Sequence, residues 1–346
     1  MLQVAPELVA DLQRGGVEPV RRALDAAIQL EHSTIPPYLY ALYSLDPGKN
    51  GAIASIIRSV VVEEMLHMTL ACNILNALNG TPQLNSPDFI PVYPGHLPGT
   101  VQGQLDVGLA PFTLDLVRDV FMVIEEPDTP LQFRIAEVAV QKPMTIGDFY
   151  HSIRDKILDL GTNAFSRTPR HQIGPDRVEF AVVVTNAAAA AQAIDVIVEQ
   201  GEGTATRPGE VVGHDFAHYY RFAEIVHGKR LIPNPAADPS GPPDQQYVYG
   251  GAPIVLDTTG VFAVPTNPTA ALYPPGTVAR RLCDTFNYTY TALLGQLHAT
   301  FTGQPGRLTA ALGLMMSLEQ QAKDMMSGLN TGGVGVGPSF EYLPLL

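Results

Sequence analysis

Two long helical patterns lie next to each other in the first quarter of the sequence. Residues 17–45 and residues 52–79 each repeat apolar side chains at alternating intervals of three and four, the pattern of a helix with one buried face. The segment between them, DPGKNG, predicts a tight turn. The two helices should therefore pack as an antiparallel hairpin, as in a helical bundle.

Charged side chains fall on the buried faces of this hairpin. Glu31 lies on the apolar stripe of the first helix, and Glu64 and His67 lie on that of the second. A buried carboxylate without a partner is costly, so it must meet a cation or take up a proton. The spacing of Glu64 and His67 points both side chains the same way. At ~1.5 Å per residue, Glu31 and Glu64 both lie ~18–21 Å from the turn, which makes them level.

The Glu-x-x-His spacing occurs again at Glu224 and His227, in a predicted helix over about 214–228. A further bundle helix is predicted over about 178–202. Two such pairs, with one glutamate from each of the other two helices, form the ligand set of a four-helix bundle that binds two metal ions. The alternative is a buried ion-pair network without metal. The predicted ligands are Glu31, Glu64, His67, Glu202, Glu224 and His227.

The ligand from the third helix is open between Glu199 and Glu202. At 100° per residue, Glu199 points nearly opposite the apolar face, whereas Glu202 lies about 90° from its centre. This favours Glu202. The glycines that flank Glu202 are also typical of a helix C-terminus, so the alternative is that Glu202 is a solvated loop residue.

Further residues near the predicted ligands have weaker signals. Tyr38 lies on the stripe of Glu31 and is a candidate catalytic residue, as a hydrogen-bond donor or redox neighbour; core packing is the alternative. Pro36 and Pro37 cannot donate to the carbonyls one turn earlier, which predicts a kink or bulge. Other residues nearby receive structural or undecided roles: His32 (exposed), Glu63 (near the site or at the surface), His214 and His218 (structural) and Glu125 (no chemistry).

Composition excludes several classes of function. The net charge of −13 argues against nucleic-acid binding, and the sequence has neither a basic amphipathic segment nor an apolar run of ~20 residues for a membrane. Its two cysteines do not form a disulfide framework. We expect a cytoplasmic protein with a single domain over 1–346, in which 80–177 and 229–346 elaborate the bundle with Pro/Gly-rich extended segments and additional C-terminal helices.

Several motifs resemble a known family: LEHSTIPPYLYALYSL, EEMLHMTLACNILNALNG, YPGHLPG, FMVIEEP, QGEGT and FAEIVHGKRL. They resemble the ferritin-like family named for iminophenyl-pyruvate dimer synthase, which includes the imine-coupling enzymes of violacein and rebeccamycin biosynthesis. The resemblance implies a ferritin-like fold and places metal ligands at Glu31, Glu64, His67, Glu224 and His227. The motif QGEGT, which contains Glu202, is characteristic of the family, so the resemblance also favours Glu202 as the ligand from the third helix.

The resulting expectation is a metal-dependent oxidoreductase of secondary metabolism. Two iron ions, or alternatively manganese, would act on a small organic substrate such as an amino-acid-derived imine. The alternatives are a non-catalytic metal-binding or iron-storage protein and peroxide disproportionation of the manganese-catalase type. The expected partners are the small-molecule substrate and further copies of the chain in a small homo-oligomer.

Overall fold

The structure is a computed structural model that describes residues 6–98, 105–127, 145–203, 208, 215–328 and 335–344. The helices are α1 (Pro6–Gln13), α2 (Val17–Tyr43), α3 (Pro47–Ala77), α4 (residues 114–124), α5 (Ile146–Leu158), α6 (Ala187–Glu202), α7 (His218–His227), α8 (Val278–Phe301) and α9 (Leu308–Gly328). The strands β1 (Lys229–Pro233) and β2 (Tyr247–Pro253) pair antiparallel. Short 3₁₀ turns occur at Pro87–Phe89, Thr162–Ala164, Pro243–Gln245, Thr258–Gly260, Ala270–Leu272 and Pro305–Arg307.

Helices α2 and α3 form the predicted hairpin. Asp46 caps α3 by accepting a hydrogen bond of 2.9 Å from the backbone N–H of Gly48. The backbone leaves helical geometry at Asn50, whose side-chain amide donates to the carbonyls of Asp257 and Gly260. These bonds fasten the turn of the hairpin to the long connection that follows β2.

Helix α2 continues through its two prolines from Val17 to Tyr43, so the predicted break does not end the helix. Proline lacks the N–H that would reach the carbonyl four residues earlier. For Pro37 that acceptor is the carbonyl of Ser33, which instead accepts a hydrogen bond of 2.7 Å from the hydroxyl of Tyr93. A side chain from the following connection thus replaces the missing helical bond.

A second antiparallel pair, α5 and α6, packs against the first. Near one end Arg154 bonds Asp195 at 2.7 Å, and near the other the backbone N–H of Gly147 donates to Glu202 at 2.7 Å. Helix α5 packs against α2, and α6 packs against α3. These four helices surround a common core.

The fourth position in the bundle differs from the sequence prediction. We expected 214–228 as the fourth bundle helix and treated 145–160 as part of the crossover. In the structure α5 pairs with α6, while the short α7 packs across α3, α6 and α4. Helix α6 begins at Ala187 rather than near 178, because Asn186 is its extended N-cap and accepts from the N–H of Ala189. Residue 214 lies outside the described residues.

Helix α4 contains a π-helical turn, Val117–Phe121, between the short α-helical segments Leu114–Leu116 and Met122–Ile124. Such turns occur often at functional sites. Glu125 follows directly at the end of this helix and is buried. Helix α4 therefore carries a carboxylate into the protein interior next to α7.

The last two long helices, α8 and α9, pair with each other and pack on the outer side of the α2–α3 hairpin. None of the helices that the structure describes combines the length and apolar character needed to cross a bilayer.

Candidate metal centre

Glu31, Glu64 and His67 converge inside the bundle, on facing sides of α2 and α3. Nδ1 of His67 lies 3.5 Å from Glu31 Oε2 and 3.6 Å from Glu64 Oε1. All three side chains are at most 4% exposed. The structure therefore brings together the three residues that the apolar stripes of the hairpin had indicated.

His218, on α7, completes the nearest group of donor atoms. Ligand atoms of Glu64, His67 and His218 all lie within 4.8 Å of one another. Nδ1 of His218 is 2.9 Å from Glu64 Oε1 and 3.4 Å from Glu125 Oε2. The sequence suggested a structural role for His218. His218 has no glutamate three residues before it, so the only sequence feature that pointed to the site was its position in a short apolar helix. His214, the other histidine to which we gave a structural role, lies outside the described residues.

Glu125 also belongs to this group, although the sequence suggested no chemistry for it. Tyr38 donates a hydrogen bond of 2.5 Å to Glu125 Oε1. The ring of Tyr38 is held edge-on between Phe121 and Phe222, with centroids 4.6 and 5.2 Å away. Tyr38 thus positions a carboxylate of the site. The sequence feature that could have indicated a buried Glu125 is its position directly after the apolar run FMVI.

Both histidines present Nδ1 to the carboxylates, because their Nε2 atoms are bonded elsewhere. Nε2 of His67 donates to Gln200 Oε1 at 3.0 Å, and Nε2 of His218 donates to Glu63 Oε2 at 2.9 Å. Metal-binding histidines usually donate the N–H of the second ring nitrogen to an oxygen in this way. The two rings stack with centroids 5.3 Å apart.

Glu63, which the sequence left undecided, orients His218. It also pairs with the guanidinium of Arg221, a side chain only 1% exposed. Although burial opposes it, His218 and Arg221 lower the pKa of Glu63 to about 2. Glu63 therefore stays ionised and holds the imidazole of His218 in place through its Nε2 atom.

Glu202 closes the far side of the same cavity. Its Oε1 accepts the backbone N–H of Gly147 at 2.7 Å. A Cβ atom at Gly147 would overlap the Glu202 carboxylate, so any larger residue there would have to displace this side chain. Burial raises the pKa of Glu202 to about 7. Of the two glutamates considered for this helix, Glu202 is the one that lines the cavity.

The cavity has a volume of about 20 Å³ and is lined by Glu31, Glu64, His67, Glu125, Tyr150 and Glu202, among others. This space is large enough only for water-sized molecules and small cations. Tyr150, on α5, donates a hydrogen bond of 2.6 Å to Glu31 Oε1, and Thr34 donates one of 2.6 Å to Glu64 Oε2. The outer oxygens of these two carboxylates are thereby fixed, while the others face the cavity.

Charge inside this site is poorly balanced by the protein alone. Burial raises the pKa values of Glu31 and Glu125, and the nearby Glu64 carboxylate raises both further. Burial alone would lower the pKa of His67, but Glu31 and Glu64 raise it to about 10. The imidazoles are therefore the local cations that offset the carboxylates, and a metal cation would take over this role.

Glu224 and His227, two of the predicted ligands, are engaged elsewhere. Glu224 accepts hydrogen bonds of 2.7 Å from Arg230 and from the backbone N–H of Leu231, at the start of β1. His227 stacks on Tyr249 of β2, with centroids 4.1 Å apart. The C-terminal end of α7 thus places this Glu-x-x-His pair against the β-hairpin. Its N-terminal end places His218 in the site.

His32 is buried rather than exposed as the sequence suggested. It is 4% exposed, and burial lowers its pKa to about 3. Nε2 shares a hydrogen bond of 2.8 Å with the hydroxyl of Tyr290 on α8. Because α8 and α9 cover the outer side of the hairpin, a position off the inner stripe is still inside the protein.

The donor set could hold metal. Carboxylate and imidazole groups buried together are typical metal ligands. Nδ1 of His218 faces a carboxylate oxygen of Glu64 at 2.9 Å and one of Glu125 at 3.4 Å. A buried imidazole nitrogen between two carboxylates can serve as a metal ligand once it has lost its proton.

Comparison with known proteins agrees with this architecture. The sequence profile of the family described as Ferritin-like matches residues 24–227. Dichlorochromopyrrolate synthase from Lentzea aerocolonigenes is 24% identical over 382 aligned positions, which cover 92% of this chain and 35% of that protein. This chain therefore spans about a third of the length of that relative.

A crystal structure of a ferritin-like protein from Caulobacter vibrioides has a similar fold, with a TM-score of 0.62 and 24% identity. The likeness covers 94% of this chain and 97% of that one. The mainly helical, ferritin-like fold predicted from the sequence is confirmed. The matched profile begins within α2, includes all of α3 and ends at His227, the last residue of α7. The chain belongs to the ferritin-like family.

Proposed function

We propose that this protein is a metal-dependent oxidoreductase whose buried site holds two ions of iron or manganese. The proposed ligands are Glu31, Glu64, His67, Glu125, Glu202 and His218. The observation that carries the proposal is the convergence of Glu64, His67 and His218, with ligand atoms within 4.8 Å, in a core surrounded by further carboxylates. Such a concentration of buried charge is costly unless cations compensate it.

Charge balance supports two divalent ions. The four carboxylates carry four negative charges when ionised, and the two histidines are neutral when they bind metal through Nδ1. Two divalent cations would therefore leave the site electrically neutral, which lowers the cost of burying it. When bound, these ions would supply redox chemistry with dioxygen or peroxide.

The protein residues around the site have distinct tasks. Glu63 and Gln200 hold the imidazole rings in orientation, while Tyr150, Thr34 and Tyr38 hold the carboxylates. Fixed ligands of this kind reduce the reorganisation that a metal site needs during a reaction. Burial of Tyr38 raises the pKa of its phenol, helped by the adjacent Glu125, so it remains protonated and able to donate.

The size of the cavity limits what can reach the metals. About 20 Å³ admits water, dioxygen or peroxide but not an organic molecule. An organic substrate would meet the site from the side of Ile146, Gly201 and Glu202, the partly exposed residues among its walls. The substrate class that we propose, an amino-acid-derived imine, rests on the resemblance of the sequence motifs.

Reconstitution with ferrous iron under anaerobic conditions tests the proposal. We expect about two iron ions per chain by elemental analysis, and oxygen consumption when air is admitted with a reducing substrate. The matched control is His96→Ala, since His96 is an exposed residue that lies outside the site. Less than half an equivalent of metal in a protein with intact helix content would refute the proposal.

A second candidate function is peroxide disproportionation with manganese. Peroxide is small enough to reach the ions through the narrow space around the ligands, without the open side that an organic substrate would need. The manganese-loaded protein would then release oxygen from hydrogen peroxide without any organic co-substrate. Absence of oxygen release, together with oxygen consumption by the iron-loaded protein, would leave the oxidoreductase proposal in place.

A further inference from the structure

A second cavity lies on the opposite side of the α2–α3 hairpin from the metal centre, beneath α8 and α9. It has two adjoining chambers, which we call together the rear pocket. The inner chamber has a volume of about 50 Å³ and the outer chamber about 270 Å³. Six residues line both chambers: Leu39, Tyr43, Met65, Met68, Leu297 and Met315.

The walls of the rear pocket are apolar and adaptable. Met65, Met68 and Met315 line both chambers, and Met316 lines the outer one. Methionine side chains are flexible and polarisable, and they accommodate ligands of varied shape. The outer chamber reaches the surface, where Met316 is 74% exposed. An ion pair between Arg58 and Glu319, with contacts of 2.7 and 2.8 Å, lies at this rim.

The inner end of the pocket carries a polar pair in otherwise apolar surroundings. His32 and Tyr290 line the inner chamber and share a hydrogen bond of 2.8 Å between Nε2 and the hydroxyl. Nδ1 of His32 makes no hydrogen bond within the described residues, although the side chain is 4% exposed. Buried polar atoms are normally satisfied, so this nitrogen is a free site for a ligand.

We propose that the rear pocket binds a neutral, elongated apolar molecule that carries a hydroxyl group at one end. The apolar body would occupy the outer chamber, and the hydroxyl would bond to Nδ1 of His32 in the inner one. A hydroxyl can donate or accept, so it matches His32 in either neutral tautomer. A charged group would be disfavoured there, because the walls of the inner chamber offer no opposite charge.

This site is separate from the metal centre, although the same two helices build both. His32 follows Glu31, Met65 follows Glu64, and Met68 follows His67. Neighbouring residues of a helix point about 100° apart, so the ligands and the pocket residues diverge. Binding in the rear pocket therefore requires no metal and can be tested on the metal-free protein.

The probe is 4-butylphenol, compared with butylbenzene, which lacks the hydroxyl, and 4-butylbenzoate, which is charged. The nine methionines can be labelled at their methyl groups and observed by NMR. We expect 4-butylphenol to shift the signals of Met65, Met68 and Met315 and to leave Met122, on α4, unchanged. Butylbenzene should bind about fivefold more weakly, as expected for one lost hydrogen bond. The benzoate should bind more weakly still.

Two variants sharpen the test. Leu297→Trp would fill the space common to both chambers and should weaken 4-butylphenol binding by at least about tenfold. His32→Phe should reduce the affinity for 4-butylphenol to that for butylbenzene and leave butylbenzene binding unchanged. The control is Leu272→Trp, at a residue that is 54% exposed and outside the pocket.

Three results would overturn the proposal. One is the absence of shifts at the pocket methionines. Another is equal binding of 4-butylphenol and butylbenzene to the unaltered protein. The third is a change in the Met316 signal on dilution alone with no effect of the probe, which would show that a second copy of the chain covers the pocket. If Leu297→Trp does not fold, the comparison of the three probes on the unaltered protein still tests the proposal.

Discussion

Nδ1 of His218 lies 2.9 Å from Oε1 of Glu64, although the two residues are separated by more than 150 positions in the chain. This contact joins the short helix α7 to the long hairpin. The first turn of α7, rather than its Glu-x-x-His pair, therefore lies beside Glu64 and His67.

Substitution of the two histidines of α7 should therefore have opposite results. We expect His218→Ala to lose most of the bound metal, because it removes a proposed ligand that Glu63 holds in place. His227→Ala should keep metal near the wild-type level, since His227 stacks on Tyr249. Metal content after ferrous reconstitution gives the answer. If His227→Ala loses the metal and His218→Ala retains it, our assignment of ligands is wrong.

His67 and His32 form a second matched pair, one on each side of the hairpin. His67→Ala should lose metal, because Nδ1 of His67 lies between two carboxylates. His32→Ala should retain metal but reduce stability, since it leaves the buried Tyr290 hydroxyl without its partner, at a cost of about 1–3 kcal/mol. Metal analysis and chemical denaturation measure the two effects. Equal metal content in both variants would contradict the placement of His67.

Glu202 and Glu199 can be separated in the same way. Glu202→Gln should lower metal occupancy, and Glu199→Gln should leave it near wild type, because only Glu202 lines the cavity. Gly147→Ala offers an independent test, as the added Cβ would displace the Glu202 carboxylate. If metal binding survives both Glu202→Gln and Gly147→Ala, Glu202 is not a ligand.

Metal binding should weaken as the pH falls. In the metal-free protein burial tends to lower the pKa of His67, but Glu31 and Glu64 raise it to about 10. His67 is thus protonated at neutral pH and must release its proton to bind metal. Apparent affinity should therefore rise with pH up to about 10, by about tenfold per pH unit for each proton released. Calorimetry of Mn²⁺ binding in buffers of different ionisation enthalpy counts these protons. A count of zero at pH 7 would contradict this protonation state.

Asn73 should be important for stability rather than for chemistry. Its fully buried amide donates to the carbonyls of Ile173 and Val182 and accepts the N–H of Ile173, with distances of 2.8–3.0 Å. Asn73→Ala would leave these backbone groups unpaired and should lower the free energy of unfolding by about 3 kcal/mol. Gln83→Ala, at an exposed residue, should change it by less than about 0.5 kcal/mol. Urea denaturation measures both values.

Periodicity predicted which side chains of the hairpin face the interior, because long periodic helices show which face is buried. Glu31, Glu64 and His67 interrupt the apolar stripes of helices with 27 and 31 residues, so their direction follows from the pattern alone. Helix α7 has only ten residues. In so short a helix the Glu-x-x-His spacing shows that two side chains point together, but not toward which neighbour.

Glu125 and the fourth bundle helix depend on tertiary contacts that no local pattern contains. Glu125 reaches the site because the π-helical turn of α4 precedes it and Tyr38 holds it. Helix α5 takes its position through Tyr150 and Glu31, which are separated by 119 residues. Periodicity identified α5 as a helix but could not show which helices it would contact.

The two-sided character of α2 and α3 restricts changes in chain length. One residue inserted between Asn50 and Glu64 would rotate the rest of α3 by about 100° relative to the turn, which Asn50 fixes through Asp257 and Gly260. Glu64 and His67 would then leave the metal centre, and Met65 and Met68 would leave the rear pocket. A single insertion or deletion in this stretch should therefore abolish both sites together, whereas substitutions can affect either one alone.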